Sequence, residues 1–169
     1  MRRIIAFDLA RLSGAAWRDC AGSLRVEHTC LGRKGNLDEH LLTLRDWAQN
    51  LARDSGANVF AVENDVGRGK GSRTLQAYHS IVRLAAAEAG AQFVYDLNAM
   101  KSRKLALGAG LRDKARAQAV ARAEFNIPLD ATEDEVDAVI LLDATQVLLD
   151  QRDRVVVAKR CRRRRKEAA

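Results

Sequence analysis

The stretch RRIIAFDLA, residues 2–10, is a short apolar run with two arginines ahead of it and an acid near its end. A run of this length, bounded by charge, reads as a buried β-strand. Two further strand-like runs follow, SGAAWRDCAG (13–22) and SLRVEHTCLG (23–32), and they meet at Ala21-Gly22-Ser23, a hairpin signal. Three strands thus precede the first helix. Working outward, Leu37 to Ala52 carries Leu41, Leu44, Trp47, Ala48 and Leu51 at the spacing of an amphipathic helix. NVFAVE (58–63) is another buried strand that ends in an acid, and NDVGRGKGSR (64–73) is a Gly-rich basic loop. Thr74 to Ala89 is helical through Leu75, Tyr78, Ile81, Val82, Leu84 and Ala85, and Gln92 to Leu97 is a fifth strand. Helices are expected over Met100–Leu107, Asp113–Phe125 and Thr132–Leu149. The order βββαβαβα predicts an α/β domain on a mixed sheet, the first three strands antiparallel and the rest joined by helical crossovers.

At 169 residues, 47% of them apolar, the chain is long enough for one domain with a proper core. Pro128 is its one proline and no Ser/Gly-rich linker interrupts it, so residues 1–150 are expected to form a single domain. The charge is unevenly placed. Residues 151–169 hold nine Lys/Arg against two acids, which is the whole net charge of +7, and Arg162 to Lys166 is an unbroken basic run. Such a segment reads as a flexible polyelectrolyte tail, suited to a polyanion. No window approaches the ~20 apolar residues of a membrane span. Asp8 breaks the apolar run of the basic N-terminus, which argues against a signal peptide. Cys20, Cys30 and Cys161 show no CxxC spacing, which fits free thiols in a reducing cytosol and not zinc.

Three acidic features are not explained by strand and helix logic alone. Asp8 ends an apolar strand, where Asp is disfavoured, and Glu63 ends another. The third lies in ATEDEVDAVILLDATQVLL (131–149). There Thr132 and Glu135 fit a capping box, and acids in the first turn oppose the helix dipole. Asp137 lies a turn further in and shares a helix face with Asp134. In open α/β sheets ligands bind beyond the carboxyl ends of strands. If strands one and four are neighbours, Asp8 and Glu63 meet there, beneath a terminal helix that presents Asp134 and Asp137. Four gathered carboxylates repel unless cations neutralise them. Mg²⁺ suits such an all-oxygen set, and two such ions could clamp an in-line phosphoryl displacement. His28, His40 and His79 are scattered and read as surface or satisfied core residues.

The neighbourhoods are basic. Between Val66 and Ala87 there is no acid, while Arg68, Lys70, Arg73 and Arg83 are present. Gly67, Gly69 and Gly71 would admit a phosphate chain closely. MKSRKLALGAGLRDKAR (100–116) adds Lys101, Arg103, Lys104, Arg112, Lys114 and Arg116 against Asp113 alone. GRGKGS lacks the spacing GxxxxGK[ST], so no nucleotide site is read there and no small-molecule cofactor is expected.

In these residues and their order, the chain resembles a RuvC-type Holliday junction resolvase. Asp8 in IIAFDLA resembles the family's first-strand aspartate, and Glu63 in FAVEND the glutamate ending its fourth strand. Asp134 and Asp137 in EDEVDAVILLDA resemble the acidic pair that opens its last helix. YDLNAMKSRKLALGAGLRDKARAQAV (95–120) resembles the family's extended segment, lysine, G-x-G and further lysine, which picks out Lys101, Gly108, Gly110 and Lys114. The resemblance spans residues 3 to about 150. It implies the RNase H-like (retroviral integrase) fold, with a five-stranded mixed sheet in the order 3-2-1-4-5 flanked by helices.

The resemblance further implies a homodimeric, Mg²⁺-dependent endodeoxyribonuclease acting on four-way junctions and other branched DNA. Asp8, Glu63, Asp134 and Asp137 would hold two Mg²⁺, with Mn²⁺ an expected substitute. Lys114 would join them in catalysis, and Arg68, Lys70, Arg73, Lys101, Arg103, Lys104 and Arg112, with Lys114, would contact DNA. Two features depart from the cellular pattern: no aromatic follows the glutamate, where Val66-Gly67-Arg68-Gly69 stands, and the tail is polyarginine. Both fit a phage or prophage member, in a bacterial or host cytoplasm. Competing readings are a YqgF-like nuclease acting on RNA and a non-catalytic nucleic-acid-binding module. An actin- or sugar-kinase-like ATPase, suggested by FDLARLSGAAW, would need two such lobes.

Overall fold

The strands form where the sequence alternates or runs apolar between turn residues. β1 (Ile4–Asp8), β2 (Leu12–Arg18) and β3 (Leu24–Cys30) make an antiparallel meander. Its second turn is fixed by the Asp19 carboxylate, which accepts from the Ala21 and Ser23 amides at 2.9 Å each, and by Gly22 at φ 83°. Then follow α1 (Leu37–Ser55), β4 (Val59–Glu63), α2 (Arg73–Glu88), β5 (Gln92–Leu97), α3 (Ala99–Leu107), α4 (Lys114–Phe125) and α5 (Glu133–Glu167). The structure, a computed structural model, describes residues 2–32, 36–64, 73–108 and 111–167, with side chains described as far as Val156 except Tyr95. Among the described residues the sheet has five strands in the order β3-β2-β1-β4-β5, with β4 parallel to both β1 and β5. The expected order and strand directions are those observed. No described helix is long and apolar enough to cross a membrane.

Period-two alternation divides the sheet into two faces. Ile5, Phe7 and Leu9 of the first strand region join Ala15, Phe60 and Val62 in a core with Leu44, Ala48, Leu51, Tyr78, Val82 and Ala85 of α1 and α2. Ile4 and Ala6 join Ala16, Val59, Ala61 and Val94 on the opposite face, beneath Val136, Val139, Ile140 and Leu148 of α5. That alternation sets the acids. Asp8 follows Ile4 and Ala6, and Glu63 follows Val59 and Ala61, so both end their strands on the α5 face. The parallel register Phe7↔Val62 makes them next neighbours at the carboxyl edge.

The last helix departs from the sequence reading, which ends it at Leu149. Its backbone continues to Glu167. Nothing from 133 to 167 stops it, since the segment has no Gly or Pro and its Arg, Lys, Gln and Ala residues are good helix formers.

Candidate active site

Asp8, Asp134 and Asp137 are brought together because α5 starts directly over β2. Gly14 pairs with Asp8 across β1 and β2. A Cβ at position 14 would run into the backbone of Asp134 and Glu135. The missing side chain is therefore what lets the first turn of α5 settle on the sheet beside Asp8. The turn is fixed by its cap: the Thr132 amide donates to the Glu135 carboxylate at 2.6 Å, and the Glu135 amide to Thr132 Oγ1 at 3.2 Å. This is the capping box expected from the sequence. Glu135 is buried, and its remaining oxygen meets His28 Nδ1 at 3.2 Å. Burial opposes ionisation of Glu135, but the Thr132 bonds and His28 outweigh it and hold its pKa below the ordinary carboxylate range. His28 is opposite Gly14 in the β2–β3 register, so β3 clamps the helix start from the far side of the gap.

The electrostatics show the convergence. The pKa of Asp8 is pushed well above its usual value, first by burial and then by the charges of Asp137, Glu63 and Asp134, with Lys114 opposing. Asp134 is raised as well, by burial first, with Asp137, Glu133 and Glu135 adding to it and Lys114 working against it. Lys114, the first residue of α4, places Nζ 3.0 Å from Asp137 Oδ2 and 3.4 Å from Glu133 Oε2. Partial burial disfavours its ammonium, yet Asp137 and Glu133 more than compensate and raise its pKa. Gln118, one turn along α4, donates to the Glu133 carbonyl at 3.3 Å and ties the two helices together.

Among the described residues no three His, Cys, Asp or Glu side chains are drawn closely enough together to grip a metal ion. The donor set nevertheless fits a hard divalent cation: all oxygen, anionic, and with one member whose ionisation its neighbours oppose.

The other expected contact residues are more dispersed. Lys101 sits in the first turn of α3, Nζ 3.2 Å from the Asp96 carbonyl, and Arg103 reaches the Arg112 carbonyl at 3.2 Å. Lys104 and Arg112 are exposed, as is Arg73 at the start of α2. Arg68, Lys70 and Gly110 lie outside the described residues, and Gly108 follows α3 at φ 89°. Sequence reasoning missed Gly14, Glu133 as a Lys114 partner, and the His28 clamp. A glycine inside a strand was the available signal for the first, since it often marks close approach of another backbone.

No protein-family model matches the chain, and no curated protein matches it. Solved structures do. RuvC from Thermus thermophilus superposes with a TM-score of 0.73 over 88% of this chain and 96% of that one, at 14% identity. The chain has the RuvC fold. The T. thermophilus RuvC complex with a Holliday junction substrate gives 0.72 over 89% and 96%, at 13% identity. The yeast mitochondrial Holliday junction resolvase Ydc2 gives 0.51 over 85% and 77%, at 12% identity. In this RuvC fold the acids stand where parallel strands β1 and β4 end under the opening turn of the last helix.

Proposed function

We propose that the protein is a metal-dependent, structure-selective endodeoxyribonuclease that cuts four-way DNA junctions and related branched DNA. The observation that carries this reading is that Asp8 and Glu63 end adjacent parallel strands on the face covered by α5, whose opening turns carry Asp134 and Asp137 and settle against Gly14 beside Asp8. The RuvC fold supports it: one superposed RuvC structure is a complex with a Holliday junction substrate, and Ydc2 is named a Holliday junction resolvase. Asp8, Glu63, Asp134 and Asp137 would hold Mg²⁺ or Mn²⁺. When bound, such ions polarise a phosphodiester and stabilise both attacking and leaving oxygens, leaving a 5′-phosphate and a 3′-hydroxyl.

The chain's own residues then have distinct tasks. Thr132, Glu135, His28 and Gly14 hold the Asp134–Asp137 turn in place. Lys114 pairs with Asp137 and supplies positive charge where a phosphate would approach. Lys101, Arg103, Lys104, Arg112 and Arg73, with Arg68 and Lys70, would bind backbone phosphates. Residues 1–150 form the nuclease domain, the basic segment after them is a separate DNA-binding element, and a homodimer would present two sites to the two strands of a junction.

The test is cleavage of synthetic four-way junctions, flaps, duplex DNA and structured RNA with Mg²⁺, Mn²⁺ or EDTA. Paired nicks in the junction, absent with EDTA and with Asp8→Asn, are expected. Cleavage of RNA but not junctions would transfer the site to RNA. No cleavage with either metal would leave a binding module and refute the enzyme.

A further inference from the structure

α5 is two different surfaces on one axis. Its first eighteen residues, Glu133 to Asp150, carry six acids and no Lys or Arg. Its last seventeen, Gln151 to Glu167, carry nine Lys/Arg and two acids. The change coincides with the point where the helix leaves the domain. Two ion pairs fasten it there: Arg2 to Asp153 at 2.8 Å, from the residues leading into β1, and Arg152 to Asp96 of β5 at 2.8 Å. From Gln151 to Val156 every side chain is exposed. The acids lie at the carboxyl edge of β1, and the exit point is beside the start of that strand, so the basic half continues away from the candidate active site. Twenty-five residues separate Asp137 from Arg162 along the helix, about 37 Å at 1.5 Å per residue.

Resting on the nuclease reading above, we infer that the basic half of α5, residues 154–167, is a helical arm that binds duplex DNA about one helical turn away from the phosphate being cut. The spacing matches a duplex repeat of ~34–36 Å. Arginine predominates in the arm, and its planar fork pairs with phosphate oxygens two at a time. The arm's apolar residues, Val155, Val156, Val157, Ala158 and Cys161, are bunched in its first half and none follows from 162 to 167, so no apolar stripe runs its length as a membrane-surface helix requires. Cations at a helix C-terminus suit the macrodipole. The segment's excess of like charge, however, calls for a polyanion to neutralise it. DNA is such a polyanion. The arm contributes affinity and position on the substrate and takes no part in the chemical step.

The test changes Arg162, Arg163, Arg164 and Arg165 together to Gln, which preserves helix propensity and leaves the domain and both ion pairs intact. Binding is measured in the Asp8→Asn background, on four-way junctions with arms of about 20 or about 8 base pairs. On long arms the log–log salt slope should become shallower by about 3 to 4, and affinity near physiological salt should fall on the order of 10²-fold. On short arms the two proteins should bind alike. With Asp8 restored, cleavage at saturating protein should be unchanged.

An unaltered salt slope overturns the arm, and loss of binding to phosphatidylserine vesicles in its place would assign the arginines to lipid. A fall in saturated cleavage, or an equal loss on short arms, would move the arm to the active site and overturn its remote placement. If the unsubstituted protein cuts no DNA but the slope still changes, the nuclease reading fails while the arm is upheld.

Discussion

The two faces of the sheet are made by the same strands and serve different ends. On the α1/α2 face, odd-numbered β1 residues meet large partners: Phe7 lies 5.5 Å from Phe60 and 5.6 Å from Trp47, ring centre to ring centre. The α5 face is floored with small residues, Ala6, Ala16 and Ala61 with Gly14 at its edge, and the helix sits close. One face stabilises by volume. The other gives up volume for proximity, and that proximity brings the Asp134–Asp137 turn down onto Asp8. Changes on the two faces should therefore separate stability from activity.

The largest effect is expected at the edge of the α5 face. Asp8→Asn should lower junction cleavage by on the order of 10³-fold or more, since the site loses a charge worth several kcal/mol in the transition state. The same substitution should not destabilise the fold. Burial and neighbouring acids raise the Asp8 pKa, so the folded chain holds a proton that the unfolded chain has released. In EDTA, stability should then fall as pH rises from the ordinary carboxylate range through the raised value, and the Asp8→Asn protein should lose much of that fall. A scan of Tm against pH reads it directly, each kcal/mol of relief appearing as about 2–4 °C. A wild-type profile that rises over this range would contradict the crowding of charge.

On the opposite face Phe60→Ala should destabilise by about 3–5 kcal/mol in denaturant titration, with cleavage per folded molecule retained. Equal loss of both would break the division between faces. Gly14→Ala should be the reverse. Its added methyl must lift the first turn of α5, costing about 1–3 kcal/mol, while cleavage falls by more than the loss of folded protein explains. Smaller still is Thr132→Ala, which removes the cap and should cost about 1 kcal/mol. His28→Ala, by freeing one Glu135 oxygen, should have the mildest effect, visible as faster amide exchange in the first turn of α5 and not as loss of fold.

Much of this was legible in the sequence because the signals were local. Asp8 and Glu63 stand out as acids ending apolar strands, and Thr132-x-x-Glu135 announces a helix start. Strand order followed from three strands preceding the first helix together with the resemblance to RuvC-type resolvases. Long-range contacts were harder to read. Gly14 matters only because a helix 120 residues later lands on it, and His28 only because β3 places it across from that glycine. α5 runs on past Leu149 because the arginine-rich segment, whose composition also suits a flexible tail, contains no Gly or Pro to stop a helix.

The central claim is that Asp8, Glu63, Asp134 and Asp137 act as one cation site. Titration of Mn²⁺, followed by electron paramagnetic resonance without DNA, addresses it most directly. Wild type should bind the ion, and Asp8→Asn, Glu63→Gln, Asp134→Asn and Asp137→Asn should each weaken binding at least about tenfold while the far-UV circular dichroism is retained. Mn²⁺ affinity equal to wild type in all four variants would contradict the account.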